Sequence, residues 1–193
     1  MNIPHFRTIT SFGLLVLVGL WFGGCGINAI FRSAKSESAI QDSVTTRIVH
    51  EMQDILHHDQ VHRTALGRPP GFSRAQKDSI IQEIHRSDLY NQQRLDSIIS
   101  RHGYPGKSLV GDSLSIVGAL VIHHSPLQFM NKHKALLMAE ARKGEVDQYF
   151  VLGFLDRVHL LETGMFLFKN HPSVPKDTTI NADSIRGLIY PQE

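Results

Sequence analysis

Five polar groupings in this chain hold residues with chemistry to offer: Asp59-Gln60-x-x-Arg63, Asp88-x-x-Asn91, His102, the pair His123-His124, and Asp156-Arg157. Carboxylates and imidazoles supply acids and bases around neutral pH, and guanidinium groups hold anions with fixed forks of donors. Together these residues suit acid–base activation of water, or the binding of a small charged ligand.

Their positions make them informative. At 100° per residue, Val44, Ile48, Met52, Ile55 and Leu66 form one helical stripe, and Asp59 falls at its centre with His62 and Arg63 beside it. A second face, built from Ile80, Ile81, Ile84, Leu95, Ile98 and Ile99, contains Asp88 and Asn91, and His102 continues its line. Asp156 and Arg157 interrupt a segment that is apolar nearly all round, so both cannot escape to water. His123 and His124 end the apolar run "LVIHH", which expects at least one buried ring and nominates His123 for the polar centre.

An unpaired buried carboxylate costs several kcal/mol, against a total stability of about 5–15 kcal/mol. The three carboxylates must therefore meet Arg63, Arg157 or the histidines. Two arrangements satisfy that demand. One is a closed salt-bridge network joining helices one, two and five. The other is a polar pocket in which unequal environments separate pKa values for acid–base or ligand-binding work. A metal version would combine His123 or His102 with Asp59, Asp88 or Asp156, and His58 and His62 have the i,i+4 spacing of a helical zinc pair without the Glu of H-E-x-x-H. No cofactor is assigned, and neither a phosphate-cradling glycine loop nor a G-x-S-x-G elbow is present.

The elements that must position these groups are helical. Punctuation by Gly, Pro and N-capping residues predicts helices over about 38–66, 73–102, 113–124, 127–143 and 145–163. Gly103-Tyr104-Pro105 stops the second helix, and that corner is expected to aim His102 at the polar centre. The tail from residue 165 mixes apolar and Pro-rich stretches and is expected to wrap the bundle irregularly, with at most a small hairpin or one helical turn. No stretch alternates with period two long enough for a sheet. The fold class is all-α, a single-domain bundle of about five helices with an irregular C-terminal segment, preceded by an export or anchor segment.

That leading segment carries no charge from Thr8 to Phe31, with Arg7 before it and Arg32 and Lys35 after. Residues 1–24 read as a lipoprotein signal peptide or an uncleaved membrane anchor, residues 25–38 as a tether, and residues 39–193 as the helical domain. "Phe-Gly-Gly-Cys" places small residues before Cys25, the only cysteine in the chain, which assigns Cys25 to lipidation. Gly26 in place of Asp points to the outer rather than the inner membrane. The expected location is thus the cell envelope, with the membrane as a partner through this anchor. Beyond residue 24 the chain holds 19 Lys and Arg against 18 Asp and Glu, which leaves no basic footprint for nucleic acid. A small ligand or another envelope protein is the remaining partner class.

In order along the chain, "DQVHR" (59–63), "DLYNQQRLDSIISRHGYP" (88–105), "VG" (110–111), "LVIHH" (120–124), "GEV" (144–146) and "FLDR" (154–157) resemble an uncharacterised bacterial domain-of-unknown-function family. Its pattern is D-Q-x-x-R, D-x-x-N, H-G-[WY]-P, V-G, Q-H, G-E and D-R. The resemblance implies that Asp59, Gln60, Arg63, Asp88, Asn91, His102, Pro105, Gly111, His123, Asp156 and Arg157 are the family's polar and turn positions. It departs at Ile122, where the family has Gln, and at "MFLFKNH" (165–171), where the family closes with Tyr-Gly-Thr-Gln. It implies a shared site and no particular reaction.

Overall fold

A computed structural model describes residues 26–67 and 71–190. The signal or anchor reading and the lipidation of Cys25 lie outside the described residues. Among the described residues seven helices follow in order: α1 (Gly26–Leu66), α2 (Arg74–His102), α3 (Lys107–Val110), α4 (Val117–His124), α5 (Leu127–Arg142), α6 (Gln148–Thr163) and α7 (Ala182–Gly187). Among the described residues there is no strand, only isolated bridges between Phe166 and Lys176 and between His171 and Val174. The all-α class holds. None of the described helices is long and apolar enough to cross a membrane.

The chain divides into two units at Ser43. The described part of the first, residues 26–43, is helical, so most of the expected tether is helix and α1 begins earlier than its capping residues suggested. The second unit, from Val44, contains the core and everything that follows. Its boundaries have local causes. Ser73 and Gln76 form a reciprocal capping box at the start of α2, and Asp147 accepts the Phe150 N–H over 2.7 Å to open α6. Gly103 and Gly164 take positive φ after α2 and α6, where a Cβ would be strained. The predicted third helix starts four residues late, at Val117, because residues 112–116 are spent on turns after the short α3.

Ile48, Met52 and Ile55 of α1 meet Leu95 and Ile98 of α2, Val117 and Ile122 of α4, Met130 and Leu137 of α5, and Phe154 and Val158 of α6 in one core. The predicted α1 stripe is buried at Ile48, Met52 and Ile55, with Val44 packed against it, while Leu66 at its end is only half-buried and lies outside this core. On α2 only Ile84, Leu95 and Ile98 of the predicted apolar face are buried, while Ile81 is exposed and Ile80 half-buried, in the first turns of that helix, which are exposed among the described residues.

The His-Gly-Tyr-Pro corner works differently from expectation. Tyr104, Pro105 and Gly106 are buried, and the Tyr104 hydroxyl donates to the Ser115 carbonyl over 3.0 Å. The Tyr104 ring lies on Gly118 of α4, where a Cβ would stand 3.1 Å from Cε2. Glu145 lies against Gly106 and accepts from the Ser108 N–H and hydroxyl at 2.9 and 3.0 Å. The corner therefore clamps α2 to α4 and to the α5–α6 connection. His102 itself is exposed.

Candidate functional site

Asp59 follows Ile55 by one turn on the buried stripe, so the helix that fills the core also drives a carboxylate into it. Its side chain is 1% exposed. Three groups answer the charge. The Nδ1–H of His124 donates to Oδ1 over 2.8 Å, the Gln60 amide donates to Oδ2 over 2.7 Å, and Arg63 Nε stands 3.5 Å from Oδ1. Burial works to raise the Asp59 pKa, but the hydrogen bond and charge of His124, with Arg63 and Gln60, outweigh it and hold the carboxyl below its usual range. The far end of the Arg63 guanidinium hydrogen-bonds Asp88 on α2. One cation thus ties α1 to α2, and one imidazole ties α1 to α4.

Arg63 Nε is within ion-pair distance of Asp59 yet too poorly aligned to share its proton. It is one of four buried polar atoms with no hydrogen-bond partner among the described residues, with Asn91 Oδ1, His123 Nδ1 and Asp156 Oδ2. Asn91 is fully buried, and its amide donates to the Ile55 carbonyl over 3.1 Å, splicing α2 onto α1 just below Asp59.

His124 also lines a cleft of about 400 Å³ bounded by His85, Asp88, Leu89, Gln92, Ser125 and Pro126. A carboxylate can only accept, so Asp59 holds a proton on His124 Nδ1 and, in the neutral ring, leaves the lone pair on Nε2. Nε2 has no partner among the described residues. The result is an oriented imidazole at the edge of an open cleft, with the Asp88 carboxylate beside it. That arrangement can take a proton from a bound hydroxyl or water.

His123, the histidine nominated from sequence, occupies a different position. Its ring packs 5.5 Å from Phe150 of α6 and 5.7 Å from His124. Burial, reinforced by the positive charges of Arg157, His124, Lys169 and Arg63, pushes its pKa down to about 4, so the ring is neutral at pH 7. It hydrogen-bonds no carboxylate among the described residues. Adjacent residues on a helix diverge by 100°, and that rotation gives Asp59 to His124.

The remaining nominations separate. Asp156 is buried and belongs to its own local structure: Oδ1 accepts the backbone N–H groups of Leu167 and Phe168 at 2.7 and 2.9 Å, pinning the C-terminal segment onto α6. Arg157 points to solvent. Only one of the two escapes to water, as the apolar surroundings demanded, but Asp156 does not join helix six to the Asp59 cluster. His102 lies almost four turns from Asp88 along α2, about 21 Å, among Arg47, Glu51 and Arg101. The expectation that the corner aims His102 at the centre is corrected on that geometry. His58 bonds the Asp54 carbonyl over 2.8 Å. Among the described residues no three or more His, Cys, Asp or Glu side chains converge as metal ligands.

Sequence reading passed over His85 and Gln92 in the cleft and two further histidine–aspartate pairs, His133–Asp96 at 2.8 Å and His159–Asp177 at 2.9 Å. Their partners lie 37 and 18 residues apart in sequence, so no local spacing announces them. Comparison with protein-family models, with curated proteins and with solved structures finds no match to this chain.

Proposed function

We propose that this chain is a lipid-tethered envelope protein, anchored through Cys25 in the outer membrane, whose helical domain carries a general-base centre for a small ligand. The Asp59–His124 pair carries that reading: a buried carboxylate orients an imidazole that lines an open cleft. Asp88 and Gln92 supply the cleft's polar contacts, and Arg63 stands between the two carboxylates. The likeness to the D-Q-x-x-R and D-x-x-N pattern supports the reading, because Asp59, Gln60, Arg63, Asp88 and Asn91 cluster around this pair. Hydrolysis, with His124 as base toward water, is the reaction class proposed.

The test screens the purified full-length chain against chromogenic ester, amide, glycoside and phosphoester substrates, with His124→Gln alongside. Expected is a turnover that rises as an imidazole deprotonates and disappears in His124→Gln while the fold persists. Turnover unchanged in that variant, or none with any substrate class, would remove the general-base role. Mass spectrometry of the membrane fraction tests the tether: an intact N-terminus with a free Cys25 thiol would overturn it.

A second reading keeps the tether and makes the cluster a brace for an envelope structural or interaction protein. Its support is the placing of Arg63 between Asp59 and Asp88, where one cation braces two carboxylates on two helices. In that case His124→Gln costs stability and nothing else.

A further inference from the structure

A second cavity, of about 270 Å³, lies away from the cleft, between α5, α6 and the C-terminal segment. Its walls are aliphatic: Met138 from α5, Leu155 and Val158 from α6, and Leu167, Ile180 and Ile185 from the segment that folds back. Buried polar anchors build the outer wall. Asp156 holds the backbone at Leu167 and Phe168, and His159, itself part of the lining, hydrogen-bonds Asp177, whose other oxygen accepts the Thr179 N–H and hydroxyl. The closing residue Ile189 is fully buried in the main core.

Two opposite charges complete the lining, Lys134 from α5 and Glu162 from α6. They do not pair with each other, and neither forms an ion pair with any other described residue. Glu162 accepts one hydrogen bond, from the Asn131 amide over 2.8 Å. An apolar chamber furnished with one unspent cation and one unspent anion matches a ligand with an aliphatic body and both charges at one end. A fatty acid would leave Glu162 facing its carboxylate, and an alkylamine would leave Lys134 facing its ammonium. We infer that this cavity binds a free α-amino acid with an aliphatic side chain, its carboxylate on Lys134, its ammonium on Glu162 and its side chain among the six aliphatic residues. The site is independent of the His124 cleft.

Calorimetric titration of the full-length chain with leucine, valine and alanine at pH 7 tests it. Leucine is expected to bind, and affinity to fall about fourfold for each methylene removed, since burying one is worth about 0.8 kcal/mol. The single-charge analogues 4-methylpentanoate and 3-methylbutylamine should each bind about fivefold more weakly than leucine, the worth of one partly exposed ion pair. Lys134→Gln should weaken leucine by the same factor and leave 3-methylbutylamine no weaker, since the amine has no carboxylate to lose a partner and is spared a like charge, which locates the carboxylate. Both charged positions lie at the surface side of their helices, so these variants are expected to fold. No binding of leucine at millimolar concentration overturns the proposal. So does 4-methylpentanoate binding as tightly as leucine, which would make the cavity a site for aliphatic acids, or leucine affinity unchanged in Lys134→Gln.

Discussion

The Nδ1–H of His124 donates to Asp59 Oδ1 over 2.8 Å, across 65 residues of sequence, and this bond joins α1 to the last turn of α4. The acid is buried and ionised, and the base is half in the cleft. Whatever His124 does at its other nitrogen, Asp59 sets its tautomer and direction.

Asp59→Ala should therefore be among the most damaging single changes. It takes the carboxylate from His124 and leaves Arg63 with Asp88 alone, and breaking a buried pair costs about 3–5 kcal/mol. Urea unfolding at pH 7 measures it, and a loss below about 1 kcal/mol would show that water replaces the carboxylate freely.

Stability should fall as the solution is acidified from about pH 6.5 toward 4. His123 is the main cause: its folded pKa is pushed down to about 4, below the ordinary value near 6.5. Between those values the unfolded chain binds the extra proton, so its contribution is complete above the upper value and lost on descending through the lower one. The charges of Arg157, Lys169 and Arg63, and of His124 when it is protonated, oppose another positive charge on the ring. With discount for partial exposure the loss is roughly 1–2 kcal/mol. His133, depressed by burial against the pull of Asp96, titrates in the same sense. Unfolding curves for the parent and His123→Asn at pH 7 and pH 4.5 should differ in slope with pH. Parallel behaviour would mean the ring is solvated.

Asp156→Ala should loosen the C-terminal segment rather than the bundle. Two backbone N–H groups lose a charged acceptor, worth about 1.5–3 kcal/mol for each hydrogen bond at most. Hydrogen exchange by mass spectrometry should show faster exchange over residues 165–180, with α2 and α4 unaffected. Uniform acceleration across all helices would contradict the local role.

Arg157→Ala and His102→Ala should each change stability by no more than about 0.5 kcal/mol, as exposed residues do. Thermal melts of these two beside Arg63→Ala would display the contrast, and a large effect at position 102 would place its ring elsewhere.

Gly106→Ala should destabilise by about 1–3 kcal/mol through overpacking, because the added methyl would stand 2.5 Å from Glu145 Oε2 and 2.7 Å from its Cβ. Pairing it with Glu145→Ala in a double-mutant cycle should recover part of the loss, and strict additivity would exclude the contact.

Much was legible in the sequence, for reasons of period and punctuation. The stripe Ile48–Met52–Ile55 and the place of Asp59 within it follow from 3.6 residues per turn, which only a helix produces. Ser73, Gly103 and Gly164 mark helix ends because their side chains, or lack of them, satisfy terminal backbone groups locally. From these alone came the all-α class and the burial of Asp59, Asn91 and Asp156. Tertiary structure decided the rest. It chose His124 over His123, since a rotation of one residue is settled by which helix packs opposite. It gave Asp156 to the backbone of Leu167 and Phe168, and left His102 in solvent, because distance along a helix separates residues that share its face. Partners 65, 37 and 18 residues apart meet only when whole helices pack, and the energy that brings them together is spread over the entire core rather than written beside any one of them.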